Sequence, residues 1–306
     1  MKYLQQLQAI KHATGWSQER LAAELGVSFP ALNAWLNNRA VPRAKAQARI
    51  HELYLNCIGM SDVSAEDLWT AKQAAYQCLF DVSRLIADKS LLDKLTLHLT
   101  YHTNVIEGST MTLADVNDVI FDNKVLANRT AIEQLEAKNH QAALHWLIEQ
   151  VANGRGGFSI TKELIMGIHL RLMNGITSDA GQYRRHAVRI MGAHVPLANW
   201  QSVSAQIAQL TGDDNLLPMD PIARLAAFHA TFEKIHPFSD GNGRTGRLVM
   251  MAQALSIGLA PPIVLKERKQ AYYKYLETAQ LGGSCLLLEQ FIAESIQFTG
   301  KLLVST

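Results

Sequence analysis

Residues 236–247 read HPFSDGNGRTGR, and no other stretch limits the fold of this chain so tightly. Proline disfavours helical geometry at the residue before it and offers no backbone N–H, so the helical pattern of 218–235 must end at His236. Asp240, Gly241, Asn242 and Gly243 make a turn in which glycine lets the backbone approach a ligand closely. A second helix starts near Arg244 with its first N–H groups unpaired. Arg244 and Arg247, three apart, share one face of it. Arginine in a first turn opposes the helix dipole, which favours anions there. A polyphosphate resolves the conflict, because two guanidinium groups, oriented amides and a carboxylate able to hold Mg²⁺ (Asp240) meet at one place. The pattern GxxxxGK[ST] is absent, so the site is not a P-loop. Two other readings stay open on these residues alone. His229, Glu233 and His236 have spacings of four and three that suit a metal site on a helix. The segment also reads as a structural turn with surface arginines.

The rest of the chain is consistent with a mainly α fold. Helical periods run over about 65–100, 112–121, 130–152, 161–174, 201–212, 218–235, 244–257, 267–280 and 286–303. Residues 184–197, RRHAVRIMGAHVPL, mix β-branched and polar residues with Gly192 at a turn, and predict one small β-hairpin. No internal repeat is visible. No apolar run reaches the ~18 residues of a membrane span, and the polar N-terminus does not read as a secretory signal. Cys57, Cys78 and Cys285 are widely spaced and odd in number, which gives no disulfide or metal framework. A cytoplasmic, reducing setting is the expectation.

Charge is uneven along the chain. Residues 1–55 hold Lys2, Lys11, Arg20, Arg39, Arg43, Lys45 and Arg49 against Glu19, Glu24 and Glu52, a balance of +4 that leaves −2 for the remainder of a +2 chain. Within that basic stretch Ser17 reads as an N-cap, Gly26 as a helix stop, and Ser28 as the cap of a second helix with Pro30 in its first turn. Two short helices around a glycine turn have helix-turn-helix spacing. The stretch resembles the Cro and lambda-repressor type in Gln18, Ala22, Gly26, Val27, Trp35 and the trailing NNRAVPR. DNA binding follows as an expectation, with Ser28, Ala31, Asn33 and Asn37 facing base edges and Arg39, Arg43 and Lys45 meeting phosphates. Protein docking through the same hairpin stays open. The expected division is a helix-turn-helix domain over 1–55, a linker over 56–70 and a larger domain over 71–303.

HPFSDGNGRTGR matches the signature of the Fic (filamentation induced by cAMP) family, H-x-F-x-[DE]-G-N-G-R-x-x-R, at every defined position. AAFHATFEKI, GQYRRHAVRI and RKQAYYKYLETA are similar to their counterparts in that family. The resemblance implies a Fic-type helical domain that moves AMP from ATP, with Mg²⁺, to a Ser, Thr or Tyr hydroxyl of a protein. Carried onto this sequence, it makes His236 the general base and Phe238 the loop's anchor in the core. Asp240 becomes the Mg²⁺ ligand. Asn242 and the amides of Gly241 and Gly243 serve the α-phosphate, Arg244 the β-phosphate and Arg247 the γ-phosphate. The segment near 186–197 becomes a flap that aligns the target as an added strand. Tyr272 and Tyr273 are candidates for the adenine pocket.

A further stretch, TNVIEG at 103–108, places Thr103 and Glu107 on one helical face with Gly108 as the stop. Glu107 then sits in a last turn, where a negative charge costs a few tenths to about 1 kcal/mol. It reads as an exposed glutamate that tolerates the cost, or as the partner of a cation elsewhere. TNVIEG is similar to the Fic inhibitory motif, [ST]-x-x-x-E-[GN], which implies that Glu107 pairs with Arg247 in the γ-phosphate position and holds the enzyme off. Two rival functions remain: a transcriptional regulator whose Fic domain senses nucleotide, and transfer of another nucleotide or of phosphate. A repressor-like helix-turn-helix favours a homodimer.

Overall fold

The protein was analysed as a computed structural model that describes residues 2–154, 157–190, 195–212 and 220–304. The chain divides into two compact units, one of Met1–Asp62 with Glu267–Tyr275 and one of Val63–Lys266 with Leu276–Thr306.

The first unit holds α1 (Tyr3–Thr14), α2 (Gln18–Leu25), α3 (Phe29–Leu36) and α4 (Ala44–Cys57). Ser17 caps α2 by accepting from the Arg20 amide, and Gly26 closes it in the left-handed region at φ 66°. Ser28 caps α3 through the Ala31 amide, with proline in the first turn. Helices this short are marginal alone and need tertiary packing. Leu7, Ile10, Leu21, Leu25, Leu32, Trp35 and Ile50 supply it as one buried cluster. Cys57 joins that cluster as a free thiol, and burial pushes its pKa up to about 11. The stretch 267–275 groups with this unit, where the Tyr275 hydroxyl accepts from the Met60 amide at 2.5 Å.

The second unit continues with α5 (Ala65–Tyr76), α6 (Ser83–Ala87), α7 (Lys89–Ile106), α8 (Leu113–Ile120), α9 (Ala131–Asn153) and α10 (Lys162–Leu172). It then adds α11 (Val203–Thr211), α12 (Pro221–Ile235), α13 (Asn242–Ser256) and α15 (Leu286–Val304), while α14 (Lys269–Gln280) begins in the first unit. The long helix expected over 65–100 is broken between Tyr76 and Lys89. The Phe80 amide donates to Gly258 O, the Ala260 amide donates to Cys78 O, and Leu79 and Leu259 form an isolated antiparallel bridge. Asp88 restarts the helix as the N-cap of α7. Asp81 and Asp88 are the capping signals that a run of apolar residues hides.

The hairpin expected over 184–197 is not found as paired strands among the described residues; 191–194 lie outside them. Side-chain bonds from Arg184 reach His186 O and Ala198 O on the two sides of this segment. No helix of the described residues is long and apolar enough to cross a membrane.

The centre of the second unit is α13, buried on nearly every side from Asn242 to Leu255 and packed on α12, α10, α9 and α7. A helix buried all round normally carries only apolar residues. This one carries Arg244 and Arg247, 3% and 6% exposed, and a buried guanidinium needs partners.

Candidate active site

The site is built where α12 hands the chain to α13. Asp220 starts α12 by accepting from the amides of Ile222 and Ala223. The helix ends at His236, which takes left-handed backbone geometry at φ 51° and ψ 63°. A side chain there costs on the order of 1–3 kcal/mol, and such residues cluster at functional sites.

The loop that follows is pinned from several directions. Phe238 is fully buried, and the His169 ring stacks on it at 3.7 Å with an interplanar angle of 2°. His169 Nδ1 accepts from the Gly181 amide at 2.9 Å, so its Nε2 carries the proton and donates to Asp240 O at 3.0 Å. Burial lowers the pKa of His169 to about 4, which keeps that tautomer neutral. Ser239 donates to Asp179 at 2.5 Å. The Asn242 carboxamide bonds the backbone of Phe238 twice, accepting at 2.8 Å and donating at 2.9 Å. Asn242 shapes the loop, and what it offers a ligand is its helix-terminal N–H.

His236 is 18% exposed at its side chain, and its Nδ1 lies 3.2 Å from Glu233 O. A carbonyl only accepts, so Nδ1 holds the proton and Nε2 keeps a free lone pair. Burial lowers the pKa of His236 first; Arg184 lowers it further, while the bond to Glu233 O and the charges of Glu107 and Asp240 oppose. The imidazole is therefore neutral at pH 7.

The loop then leads into the first turn of α13. Gly241 caps the helix at φ 74°. Gly243 lies so close to Glu107 that an added Cβ would sit 2.5 Å from its Oε1 and 2.9 Å from Arg247 Nη1. Arg247 Nη2 donates to Glu107 Oε1 at 2.5 Å, and its Nε donates to Thr103 Oγ1 at 2.7 Å. Glu107 terminates α7 as its C-cap, one turn beyond Thr103. Arg244 Nη1 donates to Glu136 on α9 at 2.6 Å and lies 3.6 Å from Asp240 through Nη2. Its Nε is buried without a protein partner among the described residues.

Thus His236, Phe238, Asp240, Gly241, Asn242, Gly243, Arg244 and Arg247 come together, and Thr103 and Glu107 join them from α7. Glu136 and His169 complete the site and carry no sequence signal of their own, while Arg184 lies in GQYRRHAVRI, a stretch the family resemblance includes. Tyr272 and Tyr273 lie in 267–275, which groups with the first unit. Tyr272 is 1% exposed, so its ring faces are covered; Tyr273 is 38% exposed. His229, Glu233 and His236 form no metal-binding group, and none of three or more His, Cys, Asp or Glu exists among the described residues. Proline displaces His236 from the face the other two share.

In the first unit Ser28 is occupied as a cap, and Asn33 donates to Gln18 at 3.2 Å. Asn37 donates to the Asn33 backbone at 2.8 Å, while Arg39, Arg43 and Lys45 are exposed. Ala31 is half-buried on α3.

Residues 159–254 match the Fic/DOC family and residues 8–50 match the Helix-turn-helix family. A protein adenylyltransferase Fic of Culex quinquefasciatus is 31% identical over 203 residues, 65% of this chain and 40% of the relative. One of Nematostella vectensis is 33% identical over 188 residues, 60% of this chain and 43% of the relative. The chain thus spans about two fifths of the length of these curated relatives. A Fic domain containing signaling protein from Bacteroides thetaiotaomicron superposes with a TM-score of 0.66 at 18% identity, covering 78% of this chain and 95% of that one. Fic-1 from C. elegans gives 0.66 at 22% identity over 97% and 91%. Signature and fold converge on the same families: residues 159–254 are similar to the Fic/DOC family, and residues 8–50, earlier in the chain, to the helix-turn-helix family.

Proposed function

We propose that the protein is an adenylyltransferase that moves AMP from ATP to a hydroxyl side chain of a target protein, and that Glu107 holds it off at rest. The observation that carries this reading is the fixed tautomer of His236. Its Nδ1 proton is committed to Glu233 O, which leaves Nε2 free at the start of the loop that leads into a helix bearing Arg244 and Arg247. The relatives named protein adenylyltransferase support the same reading.

In the proposed reaction the target hydroxyl attacks the α-phosphorus as His236 Nε2 takes its proton. A new P–O bond forms, the bond to the β-phosphate breaks, and pyrophosphate leaves. The protein positions and neutralises charge, as in other phosphoryl chemistry. The amides of Asn242 and Gly243 face the charge that develops, Arg244 holds the β-phosphate and Arg247 the γ-phosphate. Mg²⁺ commonly takes one or two protein carboxylates, with phosphates and water filling the rest. The residues fit that pattern: Asp240, 62% exposed at its side chain, stands at the loop, and no metal-ligating cluster competes with it among the described residues. Mg²⁺ held by Asp240 supplies charge neutralisation on the phosphates. A cavity of about 560 Å³ bordered by Arg184, Val188, Ile190, Leu197 and Trp200 suits a segment of the target.

The ion pair between Arg247 and Glu107 supports the brake, because the carboxylate takes the donor a γ-phosphate needs. Residues 1–55 are read as a DNA-binding unit, and a homodimer suits a helix-turn-helix that reads two half-sites. The test uses wild type, Glu107→Gly and His236→Ala with Mg²⁺, cell lysate, and ATP labelled at the α- or the γ-phosphate. Label is expected on protein from the α-position alone, strongest in Glu107→Gly and absent in His236→Ala. Transfer from the γ-position would replace this reading with phosphate transfer, and equal labelling by wild type and Glu107→Gly would remove the brake.

A further inference from the structure

Arg184 is 2% exposed and pairs with no carboxylate among the described residues. Its guanidinium instead donates to four carbonyls. Nε reaches His236 O at 2.8 Å and Nη1 reaches His186 O at 2.8 Å. Nη2 reaches Ala198 O at 2.5 Å and Ile235 O at 3.4 Å. Its backbone N–H donates to Pro237 O at 2.9 Å. Three of these five acceptors, on residues 235–237, close the end of α12, where orphan carbonyls and the negative end of the helix dipole call for a cation. The other two belong to the two ends of the segment that borders the cavity described above.

We propose that Arg184 is the positioning residue of the catalytic base: it locks His236 in its left-handed backbone conformation and ties that conformation to the backbone at His186 and Ala198. The inference rests on His236 acting as base. Lysine cannot replace this arginine, since one ammonium has neither the planar fork nor the reach to bond carbonyls on both sides at once. The charge matters separately. Arg184 opposes a proton on His236 together with burial, while Glu107, Asp240 and the carbonyl of Glu233 favour one.

The experiment compares Arg184→Lys and Arg184→Met in the Glu107→Gly background. Initial rates of label transfer from α-labelled ATP to lysate protein are measured against ATP concentration. His236 is titrated by NMR, with its signal assigned from His236→Ala. Both variants are expected to lose maximal rate by about 10²-fold, the order seen when a catalytic group is misplaced by an ångström. The apparent KM for ATP stays unchanged. The His236 pKa stays depressed in Arg184→Lys, which keeps the charge, and rises toward the ordinary value near 6.5 in Arg184→Met. Full maximal rate in folded Arg184→Lys, or a loss confined to KM, overturns the proposal. Should Arg184→Met fail to fold, Arg184→Lys alone decides by its rate. Absence of transfer in the Glu107→Gly parent defeats the base reading instead, and the titration still tests the coupling: an unmoved His236 pKa in folded Arg184→Met overturns it.

Discussion

One guanidinium on α13 is shared by two side chains of α7, and the division of labour between them can be measured. Glu107 supplies charge and Thr103 supplies direction, because the hydroxyl accepts from Arg247 Nε at 2.7 Å and fixes the plane of the fork. Thr103→Val removes the acceptor and keeps the shape. A net hydrogen bond is worth about 1 kcal/mol, so adenylyl transfer should rise roughly fivefold, short of Glu107→Gly. A rate equal to wild type would mean that Thr103 keeps its bond after Glu107 has left. The pair also shows what sequence can reveal at this scale. Composition and spacing expose a glutamate placed against its helix dipole and an arginine placed against another. Only the family pattern joins two residues 140 positions apart. Glu136 and His169 stay hidden for a physical reason. A buried cation or a loop carbonyl demands a partner, but the demand does not say which of many ordinary side chains will meet it.

Elements are legible where their ends are chemically marked. Ser17, Gly26 and Ser28 bound α2 and α3 as their residue types imply, and His236-Pro237 ends α12 at the expected residue. The break between α5 and α7 is not legible because it depends on backbone bonds to Gly258 and Ala260, far away in sequence. Residues 184–197 carry β-branched residues that suggest strand, and what the described part shows is Arg184 bonded to His186 O and Ala198 O. The helix-turn-helix carries its own prediction. Arg39, Arg43 and Lys45 are exposed beside α3, whose polar side chains Ser28, Asn33 and Asn37 already have local bonds. Phosphate neutralisation should therefore dominate affinity at low salt. Binding of the full chain to a mixed-sequence duplex, followed by fluorescence anisotropy, should weaken with salt. Replacing the three cations by alanine should flatten the logarithmic slope by about 0.9 for each phosphate no longer neutralised. An unchanged slope would assign the unit to protein docking.

At the scale of the whole second unit, burial of titratable groups around α13 sets a pH window for stability. His102, His140, His169 and His229 are buried and neutral, with pKa values lowered to about 4, 3, 4 and 3, chiefly by desolvation. Glu233 is buried and protonated, its pKa raised by desolvation to about 8 against the pull of Arg247. The two classes act in opposite senses. Below an ordinary histidine value of about 6.5 the unfolded chain takes up protons that the folded imidazoles refuse, so stability falls as pH drops from there toward 4. Glu233 contributes stability that is fully present below an ordinary glutamate value of about 4.3 and is lost as pH rises through 8. Four histidines outweigh one glutamate on the acid side, and Glu233 acts almost alone on the alkaline side. The melting temperature of the second unit's transition should therefore peak at about pH 7, fall steeply toward pH 5 and decline gently toward pH 8. Glu233→Gln should abolish the gentle decline and leave the acid limb in place. Calorimetry across that range decides the matter: an alkaline limb that survives in Glu233→Gln would mean that the carboxyl group is ionised beneath Arg247, and that the two arginine-bearing turns of α13 rest on a charge rather than on a neutral acid.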